Sequence, residues 1–151
     1  MIVALAGPEQ VEGWAALRAM LWADETVEEH RAAIADWLGG GGQVAFVATD
    51  GDTVVGFAEA SIRRDHVNGC DTSPVAFLEG IAVAPEHRSR GVARALIAEV
   101  EAWGRANGCS ELGSDSDVEN PEGQALHRAL GFEERERVVF YRKLLNGSTL
   151  S

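Results

Sequence analysis

Cysteine is scarce in this 151-residue chain: Cys70 and Cys109 are the only two, and they lack CxxC spacing. A disulfide-stapled scaffold is excluded, so the fold must rest on its core. Cys109, just past a helix after Gly108, reads as a small packing residue rather than a catalytic thiol. Basic residues are also few, 13 against 24 acidic ones, for a formal net charge of −11. Such a balance repels nucleic acid and anionic membranes and favours cationic partners. No apolar run approaches the length of a bilayer span. The N-terminal MIVALAGPEQ lacks a basic leader and reads as a first strand, so a cytoplasmic protein is expected. The glycine run Gly39–Gly42 is not followed by the Gly-Lys-Ser/Thr of a phosphate-binding P-loop.

What is present suits one α/β domain over residues 1–145, followed by a flexible tail at 146–151. Ile2–Ala6 reads as a strand, and Gly7-Pro8 opens a helix with the stripe Val11, Trp14, Leu17, Arg18 and Leu21. Thr26 and Glu29 have capping-box spacing, so a second helix starts there, with the stripe Val27, His30, Ile34, Trp37 and Leu38. His30 on that apolar face reads as a satisfied core histidine. Strands at 43–49 and 53–63 flank the turn Asp50-Gly51-Asp52. A polar loop at 64–73 precedes a buried strand from Val75. A short strand at 111–114, a helix capped by Asn120 and closed by Gly131, and a final strand at 138–145 complete the order.

The segment Val75–Trp103 organises the rest. It is an apolar strand, a loop ending R-S-R-G-V-A at Arg88–Ala93, and an amphipathic helix with the stripe Val92, Leu96, Val100 and Trp103. A glycine loop that opens a helix presents main-chain N–H groups at the positive end of the helix dipole, which suits phosphate. Arg88, Arg90 and Arg94 concentrate positive charge there, against the overall sign of the chain. The spacing lacks the G-x-G-x-x-G of a dinucleotide fold.

The motif R88-x-x-G91-x-A93, together with A-L-H-R-A-L-G131-F132, resembles the signature of the GNAT acyltransferase superfamily. A closer resemblance is to the aminoglycoside 6′-N-acetyltransferases. It is carried by L21-W22, F77-L-E79-G-I-A-V-A-P, S114-D115 with N120, and H127-R-A-L-G-F-E-E-R-E-R-V-V-F-Y. The resemblance implies a single-domain GNAT fold: a mixed, mostly antiparallel sheet with splayed central strands, flanked by helices. It also implies acetyl-CoA as acetyl donor, no metal, a cationic aminoglycoside as acceptor, and a homodimer. The pyrophosphate would lie on the main chain of Ser89, Arg90, Gly91, Val92, Ala93 and Arg94, and the pantetheine arm on Ile81, Ala82 and Val83. Asn120 resembles a side-chain contact to the coenzyme, beside its plain role as helix cap.

Acetyl transfer from a thioester needs an unprotonated amine, and therefore a group that binds ammonium and takes its proton. Glu79 is the leading residue, an acid in an otherwise apolar strand, alternating with Phe77 and Ile81 toward one face. A buried carboxylate demands a partner, which would be a substrate cation or a structural arginine. Asp115, after the next strand, would hold the reacting amine or a second ammonium. Trp22 offers an aromatic wall for a sugar, or else ordinary core. By the resemblance, His66 and Glu136 occupy substrate-contacting positions. His127 stands where many GNAT enzymes carry a tyrosine that protonates the leaving thiolate; it can serve as acid, bind coenzyme or pack. Tyr141, the single tyrosine, has no spacing that suits this task. Competing readings are transfer to another polyamine or a peptide amine, and a GNAT-fold acyl-CoA sensor without turnover.

Overall fold

A ladder of antiparallel strands carries the chain from its N-terminus to the glycine loop. In the computed structural model, which describes residues 1–147, β1 (Ile2–Leu5), β2 (Gln43–Asp50), β3 (Thr53–Arg63) and β4 (Val75–Val83) pair in that order. A fifth strand, β5 (Leu112–Gly113), lies parallel to β4. Helices α1 (Val11–Leu21) and α2 (Val27–Gly39) cover one face of the sheet. Helix α3 (Val92–Ala106) covers the other, and α4 (Pro121–Ala129) follows β5. The tail expected at 146–151 lies, from residue 148 on, outside the described residues.

Local signals explain most boundaries. Thr26 accepts from the Glu29 main-chain N–H, and the Glu29 carboxylate takes the Thr26 N–H, which closes the capping box of α2. After Gly7, Pro8–Gln10 forms a 3-10 turn before α1 begins, so the helix expected at Pro8 starts one turn late. Two members of the α2 stripe, Val27 and Leu38, are exposed, whereas His30 and Ile34 are fully buried. On α3, Val92, Leu96 and Val100 are buried against β3 and β4, as their spacing requires.

Two irregularities shape the site. The β3–β4 ladder pairs Glu59 with Gly80 but Ala60 with Leu78, which makes Glu79 the extra residue of a β-bulge. Consequently Glu79 does not alternate with Ile81. Ile81 joins the core under α3, while Glu79 reaches Ser61 and Arg63 on the face that carries α1 and α2. The second irregularity is the brevity of the parallel pairing: only Ala76–Leu112 and Phe77–Gly113 are in register. Beyond Phe77 the second edge of β4 has no strand partner among the described residues, so β4 and β5 diverge.

The strand expected at 138–145 does not form. A strand is a ladder, and among the described residues no strand pairs with this segment, which stands exposed after Phe132. Phe140 is 84% and Tyr141 91% exposed.

Candidate active site

The glycine loop has the form that its sequence implies. Gly91 is the N-cap of α3 at φ +81°, a left-handed conformation that glycine adopts without strain. Ser89 is also left-handed, at φ +62°. No side chain caps the helix, so its first-turn N–H groups, from Val92 to Arg94, face outward for an anion. Among the described residues nothing lies within 4 Å of where a Gly91 Cβ would be, so the loop is open above its main chain. Arg88 donates to the Val83 carbonyl at 3.2 Å and Arg94 to that of Ala129 at 3.3 Å. Arg90 is exposed and pairs with no group among the described residues. A cradle of main-chain N–H groups rimmed by arginines fits the pyrophosphate of a coenzyme. The unpaired edge of β4, through Ile81, Ala82 and Val83, fits an extended amide-bearing arm.

At the point where β4 and β5 part, Ser114 meets His127. His127 Nδ1–H donates to the Gly123 carbonyl at 2.6 Å, so its Nε2 accepts from the Ser114 hydroxyl at 2.7 Å. The imidazole also meets the Phe132 ring edge-on at 5.1 Å. Asn120 caps α4, accepting from the Gly123 N–H at 3.0 Å. Ser114 was not singled out by sequence reasoning. Its place in the S114-D115 segment that carries the resemblance was the available signal.

Glu79 is neither fully buried nor unpaired. Its side chain is 25% exposed and holds Arg63 at 2.9 Å, while the Ser61 hydroxyl donates to it at 2.5 Å. The bulge is the cause, because it turns Glu79 away from the α3 core toward the polar end of β3. Of the two partners that the sequence left open for this acid, the arginine is present in the free protein.

Trp22 is half-buried at the end of α1 and is held from several sides. Arg18 lies over its ring at 4.7 Å, Phe57 packs at 6.1 Å, and His30 stacks at 6.4 Å. His30 Nδ1 accepts from Arg18 Nε at 3.2 Å, which leaves Nε2–H to donate to the Trp22 carbonyl at 3.1 Å. Arg18 in turn grips Glu59, which also accepts from Trp14 Nε1 at 2.8 Å. Burial pushes the Glu59 carboxyl upward, and the arginine and indole donors pull it back. The Trp22 ring lies on Gly80, where a Cβ would overlap it. Trp22 is thereby fixed one residue from Glu79. Sequence reasoning missed Glu59 altogether, since an acid in an alternating strand gives no sign that a helix arginine will reach it.

The remaining expected site residues are less connected. Asp115, His66 and Glu136 are exposed and form no hydrogen bond or ion pair among the described residues. Glu136 lies on the segment after Phe132 that joins no strand. Thus contacts join Trp22 to Gly80, the neighbour of Glu79, on one side, and Ser114 to His127 on the other, but reach none of these three.

A mixed sheet opened between β4 and β5, with a glycine loop leading from β4 into α3, defines an acyl-coenzyme transferase. The chain belongs to the acetyltransferase (GNAT) family, whose model matches residues 14–132. An aminoglycoside N(6′)-acetyltransferase type 1 of Serratia marcescens is 48% identical over 145 residues, 95% of this chain and 99% of that one. The Stenotrophomonas maltophilia enzyme of the same name is 50% identical over 145 residues, covering 95% and 93%. Among solved structures, AAC(6′)-Iy in complex with a bisubstrate analogue of CoA and acetylneamine has a TM-score of 0.88 and 47% identity, covering 95% of this chain and 97% of its own. Apo AAC(6′)-IG from Acinetobacter haemolyticus has a TM-score of 0.92 at 37% identity, covering 97% and 100%.

Proposed function

We propose that this protein transfers the acetyl group of acetyl-CoA to the 6′-amine of aminoglycoside antibiotics, and so confers resistance. The observation that carries the reading is Glu79 on the β4 bulge, one residue from the Trp22 wall on the strand whose open edge leads to the glycine loop. Near-full-length identity of about half to enzymes of that name supports it. The acidic excess of the chain suits a polycationic acceptor.

The coenzyme supplies an activated acetyl thioester. Main-chain N–H groups from Ser89 to Arg94 hold its pyrophosphate, the edge of β4 at Ile81–Val83 lines up its arm, and Asn120 meets it from the cap of α4. Glu79 binds the acceptor ammonium and takes its proton, and Asp115 holds a further cationic group. As the C–N bond forms and the C–S bond breaks, the second nitrogen proton would be taken up at the unprotonated His127 Nε2 and relayed through the Ser114 hydroxyl to the departing sulfur, while Glu79 would release the first proton to solvent. Trp22 is the wall for the sugar; His66 and Glu136 extend the acceptor site.

Residues 1–145 form the catalytic domain and 146–151 the tail. The protein works in the cytoplasm, where acetyl-CoA is made; the described residues include no helix long and apolar enough to cross a membrane. We assign a homodimer, with the exposed apolar run Val138, Val139, Phe140 and Tyr141 at the contact.

Thiol release from acetyl-CoA, measured with tobramycin, spermidine and a lysine peptide as acceptors, tests the reading. Release with tobramycin is expected. Release with the peptide alone would overturn the antibiotic assignment, and coenzyme binding without turnover on any acceptor would favour a sensor.

A further inference from the structure

The carboxylate assigned to the acceptor ammonium already holds a cation. Arg63 Nη2 lies 2.9 and 3.0 Å from the two Glu79 oxygens, with its Nε 3.3 Å from Oε2, and the Ser61 hydroxyl takes a further position on Oε2. Four donor contacts fill most of the lone-pair positions of one carboxylate. The guanidinium carbon lies 3.6 Å from the centre of the Phe77 ring, so the cation is supported from beneath as well as paired. Yet Arg63 is not buried. Its side chain is 44% exposed, it is the last residue of β3, and it has no other partner among the described residues.

Arg18 is buried, with Glu59, His30 and the Trp22 ring around it, and is built into the core. Arg63 instead rests on one ring and one carboxylate, with solvent on its remaining side, so it can swing away without opening a cavity. An exposed ion pair of this kind contributes little to folding.

We propose that Arg63 is a specificity-determining placeholder: it neutralises Glu79 in the empty site and is displaced when a substrate ammonium arrives. This inference rests on the acceptor role proposed for Glu79. Because the guanidinium is tethered beside the carboxylate, it competes at a high effective concentration. A substrate carrying a single ammonium gains little by exchanging one cation for another. A polycationic substrate, anchored through its other ammonium groups, holds its reacting amine at Glu79 long enough to displace the arginine. Arg63 thereby turns away simple amines and admits polyamines.

The test compares Arg63→Met and Arg63→Lys with the wild type, on tobramycin and on methyl 6-amino-6-deoxyglucoside, a sugar with one amine. For Arg63→Met, kcat/KM on the monoamine is expected to rise about fivefold, the scale of an exposed ion pair. Tobramycin should change by less than about half that factor, and the KM for acetyl-CoA should not move. Arg63→Lys should keep the wild-type preference, since the tethered charge remains. No gain on the monoamine, or an equal fall on both acceptors with Arg63→Met, would overturn the proposal and make Arg63 a fixed support for Glu79. Absence of wild-type turnover on tobramycin would instead refute the acceptor assignment itself.

Discussion

Two glutamates on neighbouring strands, Glu59 and Glu79, each face an arginine, and the two pairs behave differently because of where the sheet puts them. Glu59 is 1% exposed and is held by Arg18 and Trp14 under α1. Glu79 is one bulge away on β4, 25% exposed and held by Arg63 and Ser61. The first pair has no access to a ligand and serves the fold; the second opens on solvent beside the open edge of β4. An acid–arginine pair is thus not a role in itself. Burial decides whether such a pair is locked into the core or left open to solvent.

Removing the core arginine should have the largest effect: Arg18→Ala strands a buried carboxylate and should lower stability by about 3–5 kcal/mol. Denaturant unfolding reads this directly, and a loss below about 1 kcal/mol would mean that Glu59 protonates at little expense or is reached by water. Next is Gly80→Ala, whose Cβ overlaps the Trp22 ring. Displacing the ring should destabilise by about 1–3 kcal/mol and raise the KM for tobramycin while leaving that for acetyl-CoA alone. Unchanged tobramycin KM would remove Trp22 from the acceptor site.

The smallest effect is expected at Glu111, which fastens the 64–73 loop to the start of β5. Its carboxylate accepts from the Thr72 hydroxyl and from the main-chain N–H groups of Thr72 and Asp71, and these bonds hold it below the usual carboxylate range. A depressed folded pKa gives stability that is complete above the unfolded value, about 4.3, and is lost as pH falls through the folded one. Glu111→Gln should therefore lower stability slightly at neutral pH, where the charge is present, and flatten the acid limb so that the variant converges on the wild type at low pH. An acid limb identical to the wild type would show that the loop contacts do not depend on that charge.

Much of this was legible in the chain. The Thr26–Glu29 box, the Asp50–Asp52 turn, Asn120 with Pro121, and the glycine loop all act within a few residues of themselves, so local spacing finds them. Long-range features were not legible. The bulge at Glu79 depends on how β4 registers against β3, and period-two alternation places Ile81 on the wrong face. Arg63 is 16 residues from Glu79 and Arg18 is 41 from Glu59, so neither pairing leaves a spacing to read. The expected strand at 138–145 failed for the same reason: its residues have strand character, but a strand also needs an edge.

Of the two carboxylates, Glu79 is the one proposed to serve the amine. Turnover with tobramycin and the Kd for acetyl-CoA, measured together on Glu79→Gln, distinguish this role from a structural one. We expect kcat to fall by about a hundredfold or more, the usual scale of a lost general base, while the coenzyme Kd and the melting temperature stay near wild type. Equal losses of turnover and coenzyme affinity would contradict it and make Glu79, like Glu59, a part of the scaffold.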